Sequence, residues 1–138
     1  MAKNTNEKAG MVARRIFIVD DDESVCRALK CLLRTYGFEV ATFLSGDAFF
    51  ASGEAIDNGC LILDIQLPGM DGWEIQRRLG PRRNIIMMTA HRIDGQQERA
   101  LKAGAAGLLY KPFKVGELIG LIDEVFAANA LSKKKDAV

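Results

Sequence analysis

The sequence contains few prolines and aromatic residues, a single histidine, and no long apolar run. Its 138 residues include 3 prolines and 1 histidine, and aromatic side chains make up 7% of the total. A membrane-spanning helix needs about 20 consecutive apolar residues, and no segment approaches that length. Residues 1–13 are polar and lack the apolar stretch of a signal peptide. We therefore expect a cytoplasmic protein that does not engage membranes, with a mobile leader over residues 1–13.

A marked excess of one charge is also absent. The chain has 19 basic and 18 acidic residues, which gives a formal net charge of +1. Domains that bind nucleic acids usually carry a clear basic excess on one surface. We therefore expect no direct contact with nucleic acids. The one short basic run, at 133–135, is expected to lie in a flexible tail over residues 131–138.

Cysteine is scarce and lacks the paired spacing of metal and redox motifs. The three residues, Cys26, Cys31 and Cys60, include no Cys-x-x-Cys pair. The first two fall in a helical pattern and the third in an apolar run. We predict that all three are small apolar core residues rather than ligands or redox groups.

The sequence does contain a regular alternation of short apolar runs with amphipathic segments. The apolar runs predict five strands, at residues 15–19, 38–43, 60–64, 84–89 and 107–110. The amphipathic segments predict five helices, at residues 24–36, 45–53, 71–79, 96–103 and 115–128. Such short connections require parallel βαβ units. The predicted fold class is α/β, with one domain over residues 14–130. Its doubly wound, flavodoxin-like sheet would have five parallel strands in the order 2-1-3-4-5.

Charged and hydroxyl side chains follow the predicted strands at their carboxyl ends. Aspartates occupy positions 20–22 after the first strand, and Asp64 ends the third. Thr89 ends the fourth strand and Lys111 follows the fifth. Carboxyl ends of parallel strands meet at one edge of the sheet, where open α/β sheets bind ligands. Clustered carboxylates attract a hard cation such as Mg²⁺, and an ammonium and a hydroxyl can bind phosphoryl oxygens. The combination predicts phosphoryl transfer onto an aspartate.

Each of these residues also has a simpler structural interpretation. Asp22 suits the N-cap of the first helix, and Thr89 also suits an N-cap. A single acid at a strand end is commonly no more than a solvated terminus, and a Lys-Pro pair there often forms a turn. The four features coincide on one predicted edge, which favours the functional interpretation.

Five short motifs, in this order and spacing, resemble the receiver domains of two-component response regulators. They are Val19-Asp20-Asp21-Asp22-Glu23, the segment from Leu63 to Gly72, Met88-Thr89-Ala90, Ala103-Gly104-Ala105-Ala106-Gly107 and Lys111-Pro112-Phe113. The resemblance covers about residues 14–128. It implies a phosphorylation-controlled signalling switch that accepts a phosphoryl group from a histidine kinase or a phosphotransfer protein. Such a switch is not an enzyme beyond catalysing its own Mg²⁺-dependent phosphorylation and dephosphorylation.

The resemblance also implies roles for the residues of the acceptor and metal site. Asp64 matches the phosphoacceptor and would itself bind the metal. Asp21 matches a direct ligand of Mg²⁺ (or Mn²⁺), and Asp20 matches a partner that acts through water. The backbone carbonyl of Gln66 matches a third protein ligand.

Other positions match the residues that respond to the phosphoryl group. Thr89, Ala90 and Lys111 match those that bind it and move with it. Pro112 is a candidate for a cis peptide bond, because the family commonly has one after this lysine.

Three positions bear on how long the signal lasts and how it spreads. Gln66 and His91 match rim positions that tune phosphoryl lifetime. Leu108 stands where the family usually has an aromatic switch residue, which leaves its coupling to the threonine open. The face formed by the fourth helix, fifth strand and fifth helix is the expected surface for a homodimer or a downstream protein.

Two other functions compete with this interpretation. A phosphohydrolase of the haloacid-dehalogenase type would use an aspartate after the first strand, and residues 20–24 approach its Asp-x-Asp-x-Thr pattern. However, Ser24 replaces the threonine and Asp64 would have no role. A flavin mononucleotide site would need phosphate-binding groups in the first loop, where three aspartates repel phosphate.

The output of the switch stays open at this level. The chain is either a stand-alone receiver or part of a longer regulator. Residues 42–49 resemble receivers that are joined to DNA-binding domains.

Overall fold

Five parallel strands form the centre of the computed structural model, which describes residues 14–136 and the side chains of residues 14–131. The strands are β1 (Arg15–Val19), β2 (Glu39–Phe43), β3 (Cys60–Asp64), β4 (Ile85–Thr89) and β5 (Gly107–Tyr110). The helices of the described residues are α1 (Glu23–Thr35), α2 (Gly46–Ala51), α3 (Gly72–Leu79), α4 (Gln96–Lys102) and α5 (Val115–Asp136). Strands and helices alternate along the chain, as the sequence predicts.

The sheet has the strand order β2-β1-β3-β4-β5, and every pair of neighbouring strands is parallel. This confirms the predicted fold class and its doubly wound topology. The register pairs Val19 with Leu63 and Asp64 with Met88, so β1, β3 and β4 end at nearly the same level. The residues that end or follow these strands lie at the same end of the sheet, which we call the carboxyl edge.

The central strands β3 and β4 are buried along their whole length, and all their residues except the last are apolar. A strand that is covered by helices on both faces needs apolar side chains at successive positions rather than at alternate ones. The last residues, Asp64 and Thr89, are polar and nevertheless buried. They mark the point where the core meets the carboxyl edge.

Alternate side chains of the sheet enter two separate core layers. Ile62 and Ile86 pack in the layer under α1 and α5, which we call the long-helix layer. Leu61 and Leu63 pack in the layer under α2, α3 and α4, which we call the short-helix layer. Each layer therefore has its own set of covering helices.

The long-helix layer receives three buried apolar side chains from each of its helices. These are Cys26, Leu29 and Leu33 from α1 and Leu118, Ile122 and Val125 from α5. Spacings of three and four residues keep each set on one helix face. At the start of α1, the carboxylate of Asp22 accepts hydrogen bonds from the N–H groups of Ser24 and Val25. The structural role expected for Asp22 is thus present.

Each helix of the short-helix layer contributes one buried apolar side chain. They are Phe49 from α2, Ile75 from α3 and Ala100 from α4. Helix α4 is held by the smallest of these three buried side chains, because its apolar anchor is an alanine. Its N-cap residue, Gly95, also provides no side-chain hydrogen bond.

The prediction for the cysteines is confirmed for Cys26 and Cys60, which are buried, and wrong for Cys31, which is exposed. The buried stripe of α1 passes through Cys26, Leu29 and Leu33. Position 31 falls on the opposite side of the helix, where solvent replaces the core.

The last helix is longer than predicted, since α5 runs to Asp136 rather than ending at residue 128. The tail predicted for residues 131–138 therefore begins within a helix, and its flexibility stays a prediction. The leader predicted for residues 1–13 lies outside the described residues. None of the helices described is both long and apolar enough to cross a membrane.

Candidate functional site

Three carboxylates meet at the carboxyl edge of the sheet. Asp20 follows β1 directly, and its N–H donates to the carbonyl of Phe43 at 3.1 Å, which holds it against β2. Asp64 is the last residue of β3. Carboxylate oxygens of Asp20, Asp21 and Asp64 lie within 4.8 Å of one another. Asp20 and Asp64 are buried and Asp21 is exposed, so one acid of the cluster faces solvent.

Lys111 reaches into this cluster from the end of β5. Its Nζ donates to Asp20 Oδ2 at 2.7 Å and to Asp64 Oδ2 at 3.1 Å. Its backbone N–H donates to the carbonyl of Thr89 at 2.8 Å, which ties the ends of β4 and β5 together. The structure therefore brings together four of the predicted site residues.

Asp64 and Lys111 both have pKa values above their ordinary ones. Burial raises the pKa of Asp64, although the Gln66 N–H and the Lys111 ammonium favour its charged form. Burial lowers the pKa of Lys111, but hydrogen bonds to Asp20 and Asp64 outweigh this effect and leave its pKa above the ordinary value. Lys111 is thus cationic at neutral pH and compensates part of the acidic charge.

The loop that follows Asp64 is folded back onto the acceptor strand. The Gln66 N–H donates to Asp64 Oδ1 at 3.0 Å, and the Gly72 N–H donates to the carbonyl of Ile65 at 2.8 Å. A Cβ at position 72 would lie 2.6 Å from the Asp64 carbonyl oxygen and 2.7 Å from the Ile65 Cα. Only glycine allows α3 to begin this close to the strand.

Thr89 ends β4, the strand that pairs with the strand of Asp64. Its side chain is fully buried. Its Oγ1 accepts a hydrogen bond from the His91 N–H at 3.1 Å and donates to the His91 carbonyl at 3.3 Å. Within residues 14–131 no hydrogen bond joins Thr89 to an aspartate of the cluster.

The two predicted rim residues are exposed to solvent. They are Gln66 and His91, and Ala90, which is predicted to bind the phosphoryl group, is exposed as well. The Lys111–Pro112 peptide bond is cis, which is the conformation expected for it.

Leu108 and Tyr110 lie on the short-helix side of β5. Leu108 is buried, and Tyr110 packs against the same core layer. The guanidinium of Arg92 lies 4.1 Å from the centroid of the Tyr110 ring. This cation–π pair was not predicted. A basic residue shortly after Thr89, opposite an aromatic at the end of β5, is the sequence signal that points to it.

Cys26 is a second contact that the sequence did not reveal. Its Sγ donates to the backbone carbonyl of Asp20 at 3.3 Å. Burial, together with the nearby Asp20 carboxylate, raises the pKa of Cys26 to about 11. The thiol therefore stays protonated and acts as a support for the first acidic loop.

The acidic cluster has the donor set that a hard divalent cation requires. All its ligand atoms are oxygens, and Mg²⁺ commonly binds one or two carboxylates while keeping several waters. Asp21 makes no ion pair within the described residues and is open to solvent, so its carboxylate is available to a metal. The residues present fit Mg²⁺ or Mn²⁺.

Comparison with known proteins gives a consistent result. Residues 16–123 match the family model of the response regulator receiver domain. The chain is 40% identical over 110 residues to the response regulator protein TmoT of Ectopseudomonas mendocina, covering 78% of this chain and 50% of that protein. It is 31% identical over 126 residues to the transcriptional regulatory protein FixJ of Bradyrhizobium diazoefficiens, covering 89% and 62%. The chain thus spans about half the length of the first curated relatives that it matches.

Solved structures show the same relationship. The response regulator StyR superposes with a TM-score of 0.79 and 38% identity, covering 91% of this chain and 65% of that one. The structure of FixJ-N superposes with a TM-score of 0.72 and 34% identity, covering 85% of this chain and 96% of that one.

Proposed function

We propose a phosphorylation-controlled signalling switch for this chain, which belongs to the response regulator receiver domain family of two-component systems. Asp64 is the proposed phosphoacceptor. The observation that supports it best is the position of its carboxylate, within 4.8 Å of those of Asp20 and Asp21 and 3.1 Å from the Lys111 ammonium. The dehalogenase-type and flavin alternatives leave that placement of Asp64 unexplained.

In the proposed reaction, a carboxylate oxygen of Asp64 attacks the phosphorus of a phosphohistidine on a histidine kinase or phosphotransfer protein. The new P–O bond forms as the P–N bond breaks, and the histidine leaves with the electron pair of that bond. Lys111 is already hydrogen-bonded to Asp64 and would pair with a phosphoryl oxygen. Its positive charge then stabilises the added negative charge where it develops.

The acidic cluster would hold the divalent cation. Asp21, Asp64 and the Gln66 carbonyl are the proposed direct ligands of Mg²⁺ or Mn²⁺, and Asp20 is proposed to act through water. The cation would reduce the repulsion between the acceptor carboxylate and the incoming phosphoryl oxygens. The buried Asp20 needs such a partner most when Lys111 turns toward the phosphoryl group.

The response would begin at Thr89. Its hydroxyl bonds the loop of His91, and we propose that it rotates to meet the phosphoryl group together with the Ala90 N–H. Leu108 and Tyr110 line the same layer and would repack as Thr89 moves. The surface of α4, β5 and α5 would then change and bind a second copy of the chain or a downstream protein. Gln66 and His91, on the rim, would set how easily water reaches the acyl phosphate.

We place this function in the cytoplasm and its output in protein–protein contact rather than in direct binding of nucleic acid. The near-neutral charge of the chain supports the second part. The proposed catalysis is limited to the phosphorylation and dephosphorylation of the chain itself, and no separate enzymatic substrate is proposed.

The assignment of Asp64 can be tested by phosphorylation with a small phosphodonor such as acetyl phosphate and Mg²⁺. The wild type should show one retarded band on a phosphate-affinity gel, and chelation of Mg²⁺ should abolish it. Asp64→Asn should remove the band because the amide is not a nucleophile. Asp123→Asn, an exposed aspartate on α5, is the matched control and should label normally. Unchanged labelling of Asp64→Asn would overturn the assignment.

A further inference from the structure

A second concave site lies between α3 and α4, and none of the acidic cluster or Lys111 lines it. Its volume is about 410 Å³. Small-molecule sites in proteins commonly measure about 300–1,000 Å³. The cleft is therefore large enough for a small organic ligand.

Its two walls are formed by side chains on facing sides of the helices. Trp73, Gln76 and Arg77 line it from α3, and Arg99 and Lys102 line it from α4. Spacings of three and four residues place the members of each set on one helix face. The side chains of both sets consequently converge on the same space.

The charge of the cleft is positive. Three of its lining residues are basic and none is acidic. Arg77 forms an ion pair with Glu74, whose carboxylate also pairs with Arg78. Arg99 and Lys102 make no ion pair with any residue that the structure describes. An anion entering the cleft would find two uncompensated cations.

Gln76 provides a hydrogen-bond donor without a partner among the described residues. Its side chain is only 2% exposed. Its Nε2 is buried and makes no hydrogen bond to any described residue. Buried polar groups nearly always have a partner, and an acceptor bound in the cleft that Gln76 lines would satisfy this donor.

A cation–π pair joins the two sides of the cleft. The guanidinium of Arg99 lies 3.9 Å from the centroid of the Trp73 ring. Planar guanidinium and indole groups both favour stacking with a ring. The pair is therefore suited to a ligand with a flat aromatic body.

We propose that the cleft between α3 and α4 binds a small aromatic anion, in which a flat ring carries a phosphate or a carboxylate. The ring packs on the Trp73–Arg99 pair. The anionic oxygens accept a hydrogen bond from Gln76 Nε2 and pair with Arg99 and Lys102. The site is separate from the acidic cluster, and none of its lining residues takes part in the proposed phosphoryl transfer.

Fluorescence offers a direct test, because Trp73 is the single tryptophan of the chain. The full chain is titrated with AMP and with benzoate at constant ionic strength, and inorganic phosphate serves as the ringless probe. At least one aromatic anion should give a saturable change, and the better of the two identifies a phosphate or a carboxylate as the anionic group. Inorganic phosphate should bind at least about tenfold more weakly. No saturable response to either aromatic anion would overturn the proposal. Equal affinity for inorganic phosphate would overturn the aromatic assignment.

Variants measured by calorimetry locate the site. Lys102→Ala should weaken binding roughly tenfold, which is typical for loss of a charged partner. Arg78→Ala is the matched control, because it removes an exposed arginine from α3 that does not line the cleft, and it should bind like the wild type. Equal weakening in both variants would mean that binding depends only on the overall positive charge, which would overturn the assignment of the cleft.

Gln76→Met separates a binding role from a structural one. It keeps the length of the side chain and removes the orphan donor, so affinity should fall roughly tenfold while Tm does not fall. A lower Tm with unchanged affinity would overturn the role of Gln76. Asp64→Asn should bind the anion normally, so failure of this proposal and failure of the phosphoacceptor assignment are distinguishable.

Discussion

On one side of the sheet, two long helices each bury three apolar side chains, whereas on the other side three short helices bury one each. The long-helix layer is therefore closed by two broad apolar faces. The short-helix layer is closed by three separate anchors, and the anchor of α4 is the methyl group of Ala100. Burial of apolar area largely sets how strongly an element is held, so the two sides differ in how easily they rearrange.

The proposed acceptor and the proposed responder lie on different sides of this comparison. Alternation along β3 places Asp64 on the same face of the sheet as Ile62, which belongs to the long-helix layer. Alternation along β4 places Thr89 on the same face as Met87, which belongs to the short-helix layer. The proposed phosphoryl transfer would thus occur on the face that is covered by the firmly packed helices. The proposed response would act on helices that need less free energy to move.

The largest expected difference is between a leucine on the inner face of α5 and a leucine on the outer face of α4. Leu118→Ala empties a fully buried position of α5 and should lower the free energy of unfolding by about 2–5 kcal/mol. Leu101→Ala, on the outer side of α4, changes a side chain that is 52% exposed and should cost no more than about 0.5 kcal/mol. Urea unfolding with constant m-values measures both. Comparable losses would mean that α4 is held by contacts like those of α5.

A smaller effect is expected from the anchor of α4. Ala100→Gly should cost about 1–2 kcal/mol, through lost helix propensity and the buried methyl group. It should also speed amide exchange in α4 while leaving α1 protected. Ala28→Gly, an exposed position of α1, makes the same chemical change and should leave exchange in α4 unaltered. If Ala100→Gly accelerated exchange equally in α1 and α4, the layers would open as one unit.

The smallest expected effect is the pH dependence of the unfolding free energy that arises from the ion pairs of Lys111 at the carboxyl edge. Burial opposes the charge of Lys111, but its bonds to Asp20 and Asp64 raise its folded pKa above the ordinary value of 10.5. A pKa raised by folding contributes stability that is complete below the unfolded pKa and is lost as pH rises through the folded pKa. In buffer without Mg²⁺, the unfolding free energy should therefore fall more steeply above about pH 10.5 for wild type than for Lys111→Met. Parallel slopes would show that these pairs contribute nothing.

Much of the fold is readable from the sequence because its elements are strongly patterned. The bounds of β1 and β5 agree with prediction, since charged or proline-containing segments end both apolar runs. The acidic cluster with Lys111 follows from topology alone, because parallel strands end at one edge. The length of α5 was underestimated, since apolar periodicity stops before the backbone helix does.

The parts that escaped prediction depend on contacts between side chains of different elements. No local pattern shows that Arg99 packs on Trp73, or that Gln76 Nε2 is buried without a partner in the part of the chain that the structure describes. Each of these residues lies on an amphipathic helix without a distinctive local pattern. Its contacts are determined only when α3 packs against α4. The exposure of Cys31 has the same origin, because it depends on which side of α1 meets the sheet.

The contact at Gly72 fixes a pivot for α3. Two backbones touch there, and backbone atoms have no alternative rotamers that could absorb a shift. Substitutions elsewhere in α3 can therefore tilt its far end, at the cleft beside α4, but they leave its first turn registered against Asp64. Substitutions at the cleft end of α3 are therefore expected to leave the proposed acceptor geometry unchanged, because the contact at Gly72 lies between the two sites.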